Sequence, residues 1–181
     1  PPALHGRPID VGPLLRAELF DRCPSVSLVS ATLTTRGTFD FVRDELGVPS
    51  SALEVVAASP FDFERRARLV IPSGLPTPDE DGFPSAVAGA VANVIEACEG
   101  RTLALFTSYR MLFAACDGLE GDPRMRAYRR LVHGEMPRGE LVRTFKEDEA
   151  SVLLGTGSFW TGIDVPGQPL TALVIDKLPF P

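Results

Sequence analysis

Residues 151–166 read SVLLGTGSFWTGIDVP, an apolar run that passes straight into a glycine-punctuated turn carrying Thr156, Ser158, Trp160, Thr161 and Asp164. Residues 151–154 predict a short strand buried on both faces, because an unbroken apolar run of that length suits the middle of a parallel sheet. Gly155, Gly157 and Gly162 let the backbone turn sharply and approach another molecule closely, and hydroxyls and one carboxylate share the same few positions. In an open α/β sheet, ligands sit outside the carboxyl ends of the strands, which is where this turn falls. It is therefore read as a site, with an ordinary strand-to-helix connection as the plain alternative.

Outward from this stretch the pattern alternates. Helices are predicted over residues 85–99, 108–117 (closed by Gly118) and 137–146, and strands over 102–106, 131–132, 151–154 and 170–176. Such alternation implies right-handed βαβ crossovers and a mostly parallel sheet with helices on both faces, an α/β three-layer sandwich. Residues 72–84, PSGLPTPDEDGFP, have the proline, glycine and acid density of an exposed loop, and a domain boundary is expected between residues 59 and 82. Before it, Asp10 is expected to cap a helix over 13–21 with Pro13 in its first turn, and residues 25–30 to form a buried strand. Thr35 then caps a helix to Leu46, closed by Gly47, with Phe39, Val42 and Leu46 on its apolar face. Residues 53–58 read as another strand, Ser59-Pro60-Phe61 as a break, and 68–71 as a short extended run.

Composition narrows the function classes. The 181 residues, 44% hydrophobic and 23% charged, suit one core or one core plus part of another. A net charge of −6 means that any nucleic-acid contact has to be local. The arginine groups Arg65, Arg66, Arg68 and Arg124, Arg126, Arg129, Arg130 read as solvated faces. Cys23, Cys98 and Cys116 are odd in number and widely spaced, as expected of reduced thiols and not of a disulfide framework, and no metal site is expected. With no apolar run of membrane-spanning length and no signal-like start, the expectation is a cytoplasmic protein without membrane contact.

Several catalytic signatures are missing. The sequence has no G-x-x-x-x-G-K-[ST], no G-x-G-x-x-G and no G-x-S-x-G, and its only histidines are His5 and His133. Asp148-Glu149 resembles the start of an acid box, but a metal-binding pair of that kind follows its apolar strand, whereas here the strand comes after. The pair is read as helix-end charge.

What remains is a set of motifs in order: Ser30-Ala31-Thr32-Leu33, Ser59-Pro60-Phe61, LALFTS at 103–108, GTGSFWTGIDVPG at 155–167 and VIDKLPFP at 174–181. The set resembles the DinG/XPD-like branch of superfamily 2 helicases over nearly the whole chain. SATL and LFTS alone are weak signals; the GTGSFW stretch followed by KLPFP is strong. The resemblance implies a RecA-like second motor domain over 83–181 with motif IV at LFTS and motif V at GTGSFW. It also implies a linker over 60–82 and the end of the first motor domain, with motif III, over 1–59. It further implies ATP and Mg²⁺ as cofactors of the full-length protein, with none bound by this chain alone. The implied partners are single-stranded DNA lying across both motor domains and the upstream first domain, with ATP in the cleft between the two. Thr161 departs from the family, which usually has glutamate there, and the stretch contains neither the P-loop and acid box nor the Q-x-x-G-R-x-x-R motif.

Thr107 and Ser108 end a strand and open a helix, so free N–H groups and two hydroxyls suit one phosphate; the plain alternative makes Ser108 an N-cap. Gly155, Thr156 and Ser158 are expected to grip the sugar-phosphate backbone without reading sequence. Phe159 is read as core, and Trp160 as either core or a stacking platform. Gly162 and Asp164 are expected beside the nucleotide, Asp164 accepting hydrogen bonds from a ribose or an arginine, with a turn-forming aspartate as its alternative. Ser30, Ala31 and Thr32 are expected to couple nucleotide state to DNA grip. Two functions stand open: the C-terminal motor half of an ATP-dependent 5′ to 3′ DNA helicase, and a non-catalytic α/β nucleotide- or nucleic-acid-binding module.

Overall fold

The computed structural model describes residues 8–179; His5 and the last two residues of the KLPFP motif lie outside them. The chain divides into two compact units, one ending at Leu69 and the other beginning at Val70.

Among its described residues the first unit holds three short helices: α1 (Gly12–Leu15), which runs on as a π-helical turn (Arg16–Phe20), α2 (Asp40–Leu46) and α3 (Phe63–Arg66). The N-cap position of α1 is Val11, not Asp10, and carries no side-chain cap; the Asp10 carboxylate, one residue earlier, accepts from Gly12 N–H at 2.9 Å. Gly47 closes α2 with φ +65°, and a Cβ there would fall 2.3 Å from the Gly12 carbonyl oxygen, so backbone meets backbone at that point. Phe39, Val42 and Leu46 are half-buried, as their spacing predicts. Thr35 does not cap α2; it pairs with Thr38 in an isolated bridge and the helix starts four residues later than expected, at Asp40.

Residues 25–30 and 53–58 form no strand, contrary to expectation. Both lack regular structure and are largely exposed, Val29 and Leu53 each at 91%. A parallel strand is stable only when neighbours pair with it and cover both faces, and among the described residues no strand does so for either segment.

The second unit matches the predicted class. Helix α4 (Phe83–Ala97) is followed by β1 (Thr102–Leu105), α5 (Tyr109–Glu120), β2 (Arg130–Val132), α6 (Arg138–Glu147), β3 (Val152–Gly155) and β4 (Ala172–Ile175). The strands form one sheet in the order β2-β3-β1-β4, and every pairing is parallel. Side chains alternate across it. Ala104, Phe106, Val132, Val152 and Leu154 pack against Val91, Ile95, Leu112 and Ala115 of α4 and α5. On the opposite face Leu103, Leu105, Leu131 and Leu153 pack against Leu141 and Phe145 of α6 and against Phe159. Helices therefore cover both faces, which is why every residue of β1 and β3 is buried and most are apolar.

Gly118 does not end α5 but lies inside it, where a Cβ would come within 2.6 Å of the Ala88 methyl. Its role is to let α4 and α5 approach. Two 3₁₀ turns, Pro123–Ala127 and Gly157–Phe159, were not predicted. Arg124 pins the first of them: it donates to Asp122, to Glu96 at 2.8 Å and to Asn93 at 3.0 Å, which holds Asp122 below the usual carboxylate range. Arg129 faces Asp148 at 3.8 Å, and Arg130 donates to the Cys116 carbonyl at 3.3 Å, so three members of this arginine group are engaged in local contacts. All three cysteines are free thiols, and burial pushes Cys116 up to about 11, so it stays protonated at neutral pH.

Candidate functional site

Because β1, β3 and β4 run parallel in register, with Leu105 beside both Gly155 and Ile175, the chain leaves all three strands at one edge. That edge gathers Thr107–Ser108, Thr156–Ser158 and Asp176–Lys177.

At the end of β1, the Ser108 hydroxyl accepts from Met111 N–H at 3.2 Å and caps α5. The cap leaves the first N–H groups of a 12-residue helix facing outward, so the capping and phosphate-facing readings of Ser108 are compatible. Thr107 is fixed from the next strand end: its N–H donates to Asp176 at 3.1 Å and its hydroxyl to the same carboxylate at 3.2 Å. Lys177 N–H also donates to Asp176, at 2.8 Å.

Burial raises the Asp176 carboxyl above its ordinary value, and the hydrogen bonds from Lys177 and Thr107 only partly oppose this. The folded protein therefore binds that proton more tightly than the unfolded chain. The group's stabilising contribution is complete below the unfolded value and is lost as pH rises through the folded one. Relative to Asp176→Asn, the wild type is expected to gain stability between about pH 7 and about pH 4, read as the difference in urea midpoints. A wild type that loses ground to the variant on acidification would reverse the sign.

At the end of β3, Gly155 is small because a Cβ there would lie 2.8 Å from the Phe159 ring. Phe159 itself is 2% exposed and is core, as expected. Thr156 is buried, and its hydroxyl meets His133 Nδ1 at 2.9 Å. The Tyr109 hydroxyl lies 3.2 Å from His133 Nε2, and the His133 ring stands edge-on to Phe159 with centroids 4.7 Å apart. Residues from the ends of β1, β2 and β3 are thus tied through one imidazole. The Thr156 hydroxyl is occupied, whereas Gly157 and Ser158 are exposed.

Trp160 is half-buried beside the Phe159 cluster. Thr107, Ser108, Arg110, Gly157, Trp160 and Lys177 line a groove of about 670 Å³. Sequence reasoning placed no role on Arg110 or Lys177, although each follows a strand end by only a few residues. Gly162, at φ +70°, and Asp164 are exposed on the following loop. Ser30 and Thr32 belong to the first unit, where the Ser30 hydroxyl accepts from Thr32 N–H at 3.2 Å in a local turn; Ala31 is exposed between them. Among the described residues no group of three or more His, Cys, Asp or Glu could hold a metal ion, and no helix is long and apolar enough to cross a membrane.

A parallel three-layer sandwich with its polar turns gathered at the strand ends defines an α/β domain of the kind that binds ligands outside those ends. The family model described as "Helicase C-terminal domain" matches residues 91–181, and the chain belongs to that family. It is 37% identical over 183 residues to "ATP-dependent helicase DinG" of Mycobacterium tuberculosis, covering 98% of this chain and 27% of that protein. It is 33% identical over 177 residues to "ATP-dependent DNA helicase YoaA" of Haemophilus influenzae, covering 98% and 27%. Against "3'-5' exonuclease DinG" of Bacillus subtilis it is 33% identical over 184 residues, covering 98% and 20%. The chain thus spans only a fifth to about a quarter of these curated relatives. The likeness to DinG-type helicases expected from GTGSFW and KLPFP is borne out.

Proposed function

We propose that this chain is the C-terminal motor portion of an ATP-dependent DNA helicase that moves 5′ to 3′ on single-stranded DNA, working with a first motor domain of the same protein. The observation that carries the proposal is the groove at the carboxyl edge. It offers a phosphate the outward N–H groups of α5, the Ser108 hydroxyl and the Arg110 and Lys177 cations, with Trp160 beside them as an aromatic wall, while the Thr107 hydroxyl is engaged by Asp176. Local positive charge of this sort lets a chain of net charge −6 hold a polyanion.

Within this reading, Gly155 and Thr156 shape the turn and Gly157 and Ser158 meet the strand, because the Thr156 hydroxyl is already engaged by His133. Ser30, Ala31 and Thr32 form the segment through which nucleotide state alters DNA grip. ATP and Mg²⁺ are the cofactors of the whole protein. The groups present here do not suffice to hold them: Gly162 and Asp164 offer a turn and a single exposed carboxylate, one wall of a site at most. The helicase reading is preferred over the exonuclease named for one relative because the family model that matches this region is a helicase domain.

The test is oligonucleotide binding over a salt series. Arg110→Ala and Lys177→Ala are each expected to reduce the slope of log affinity against log salt by about 0.7, the value for one phosphate contact on a single strand. The loss should be the same for oligo-dT and oligo-dA, since phosphates alone are touched. An unchanged slope in both variants, or a loss confined to one base composition, contradicts the groove.

A further inference from the structure

Arg138 opens α6, at the end of a helix where outward N–H groups make a cation unfavourable. Its guanidinium turns away from that helix to the loop after β3. Nε donates to the Ser158 carbonyl at 3.1 Å, and Nη2 donates to Thr161 at 3.0 Å and to Gly162 at 3.4 Å, while Cζ lies 5.5 Å from the centre of the Phe159 ring. Ile163, Val165 and Leu170 of this loop pack partly buried against the Phe159 cluster, but its backbone has few partners. Its own backbone bonds, from Phe159 N–H to Thr156 and from Trp160 N–H to Gly157, fasten only the first turn. From Thr161 to Leu170, no backbone–backbone hydrogen bond is made among the described residues. Gly162 sits in this stretch with φ +70°, a backbone conformation that glycine takes without steric cost.

We propose that Arg138 is a positioning residue: by gathering three carbonyls over the Phe159 ring it fixes the turn that presents Gly157 and Trp160 to the groove. The proposal rests on the groove reading for its consequence, but not for its geometry. A lysine cannot replace it, because a compact ammonium lacks the planar fork that reaches several acceptors at once. Arg138 acts through the loop and does not itself neutralise a phosphate.

Trp160 is the only tryptophan of the chain, so its fluorescence reports on this loop alone. Acrylamide quenching of the free 181-residue chain is to be compared for wild type, Arg138→Lys, Arg138→Ala and Arg138→Met, the last keeping an apolar stem over Phe159 and serving if the alanine variant does not fold. All variants that melt like wild type should show quenching raised about twofold as the loop opens locally. Oligo-dT affinity should fall about tenfold with an unchanged salt slope, because no phosphate contact has been removed. Unchanged Trp160 quenching in Arg138→Ala or Arg138→Met, full rescue by Arg138→Lys, or a slope reduced by about 0.7 would each overturn the assignment. If wild type binds no oligonucleotide the groove reading falls, while the quenching series still decides the role of Arg138.

Discussion

Purified by itself, the 181-residue chain is expected to release phosphate from ATP no faster than a protein-free control, with or without single-stranded DNA. Phosphoryl transfer requires a cradle for the triphosphate, an acid to hold Mg²⁺ and an arginine to meet the developing charge. The sequence contains no P-loop, the Asp148-Glu149 pair precedes its strand instead of following it, and the arginine motif of the family does not occur. An arginine supplied at the right place is alone worth on the order of 10³–10⁵ in rate, so a site with one wall sits at background. On the proposed function, adding a first motor domain in trans should restore turnover. DNA-stimulated hydrolysis by the isolated chain would place the catalytic groups somewhere other than the motifs named here.

The second large effect is structural. Phe159→Ala is expected to destabilise the second unit by about 3–5 kcal/mol, the usual cost of emptying a buried aromatic site. Phe159 fills the space left by Gly155, supports His133 edge-on and lies beneath Arg138, so its loss removes the floor of the turn as well as core volume. Phe113, 52% exposed on α5, is the control, and Phe113→Ala should stay within about 0.5 kcal/mol. Urea unfolding followed by Trp160 fluorescence reads the second unit separately. Equal midpoints for the two variants would mean that Phe159 carries no more of the packing than a surface ring.

The sandwich was legible because its elements announce themselves locally. Residues 103–106 and 152–154 are apolar without interruption, and helical periodicity with Ser108 and Pro137 at the starts located α5 and α6 to within a few residues. The edge was legible for the same reason, since a polar turn after a parallel strand can leave it only at the carboxyl end. Residues 25–30 and 53–58 show the limit. Their composition favours extension, but strand formation depends on partners, and propensity says nothing about whether partners are there.

The contacts that shape the site were illegible for another reason. Arg138 reaches carbonyls 20 to 24 residues away, and His133 meets Thr156 23 residues on. Both contacts follow from β2 and α6 lying beside β3, and strand order is not written in any local pattern. His133 was noticed only as one of two histidines in a search for a general base, whereas its role in the fold is to tie three strand ends together. Gly118 was misread as a stop because a glycine near a helix end is usually one; here it makes room for Ala88.

Backbone amide NMR of this chain, titrated with oligo-dT, tests the central claim most directly. Binding in the groove predicts shifts concentrated at the amides of Thr107, Ser108, Tyr109, Arg110, Gly157 and Lys177, with the same set moved by oligo-dA. Shifts centred on Gly100, Arg101 and Ser151, which stand at the opposite ends of β1 and β3, would contradict the account.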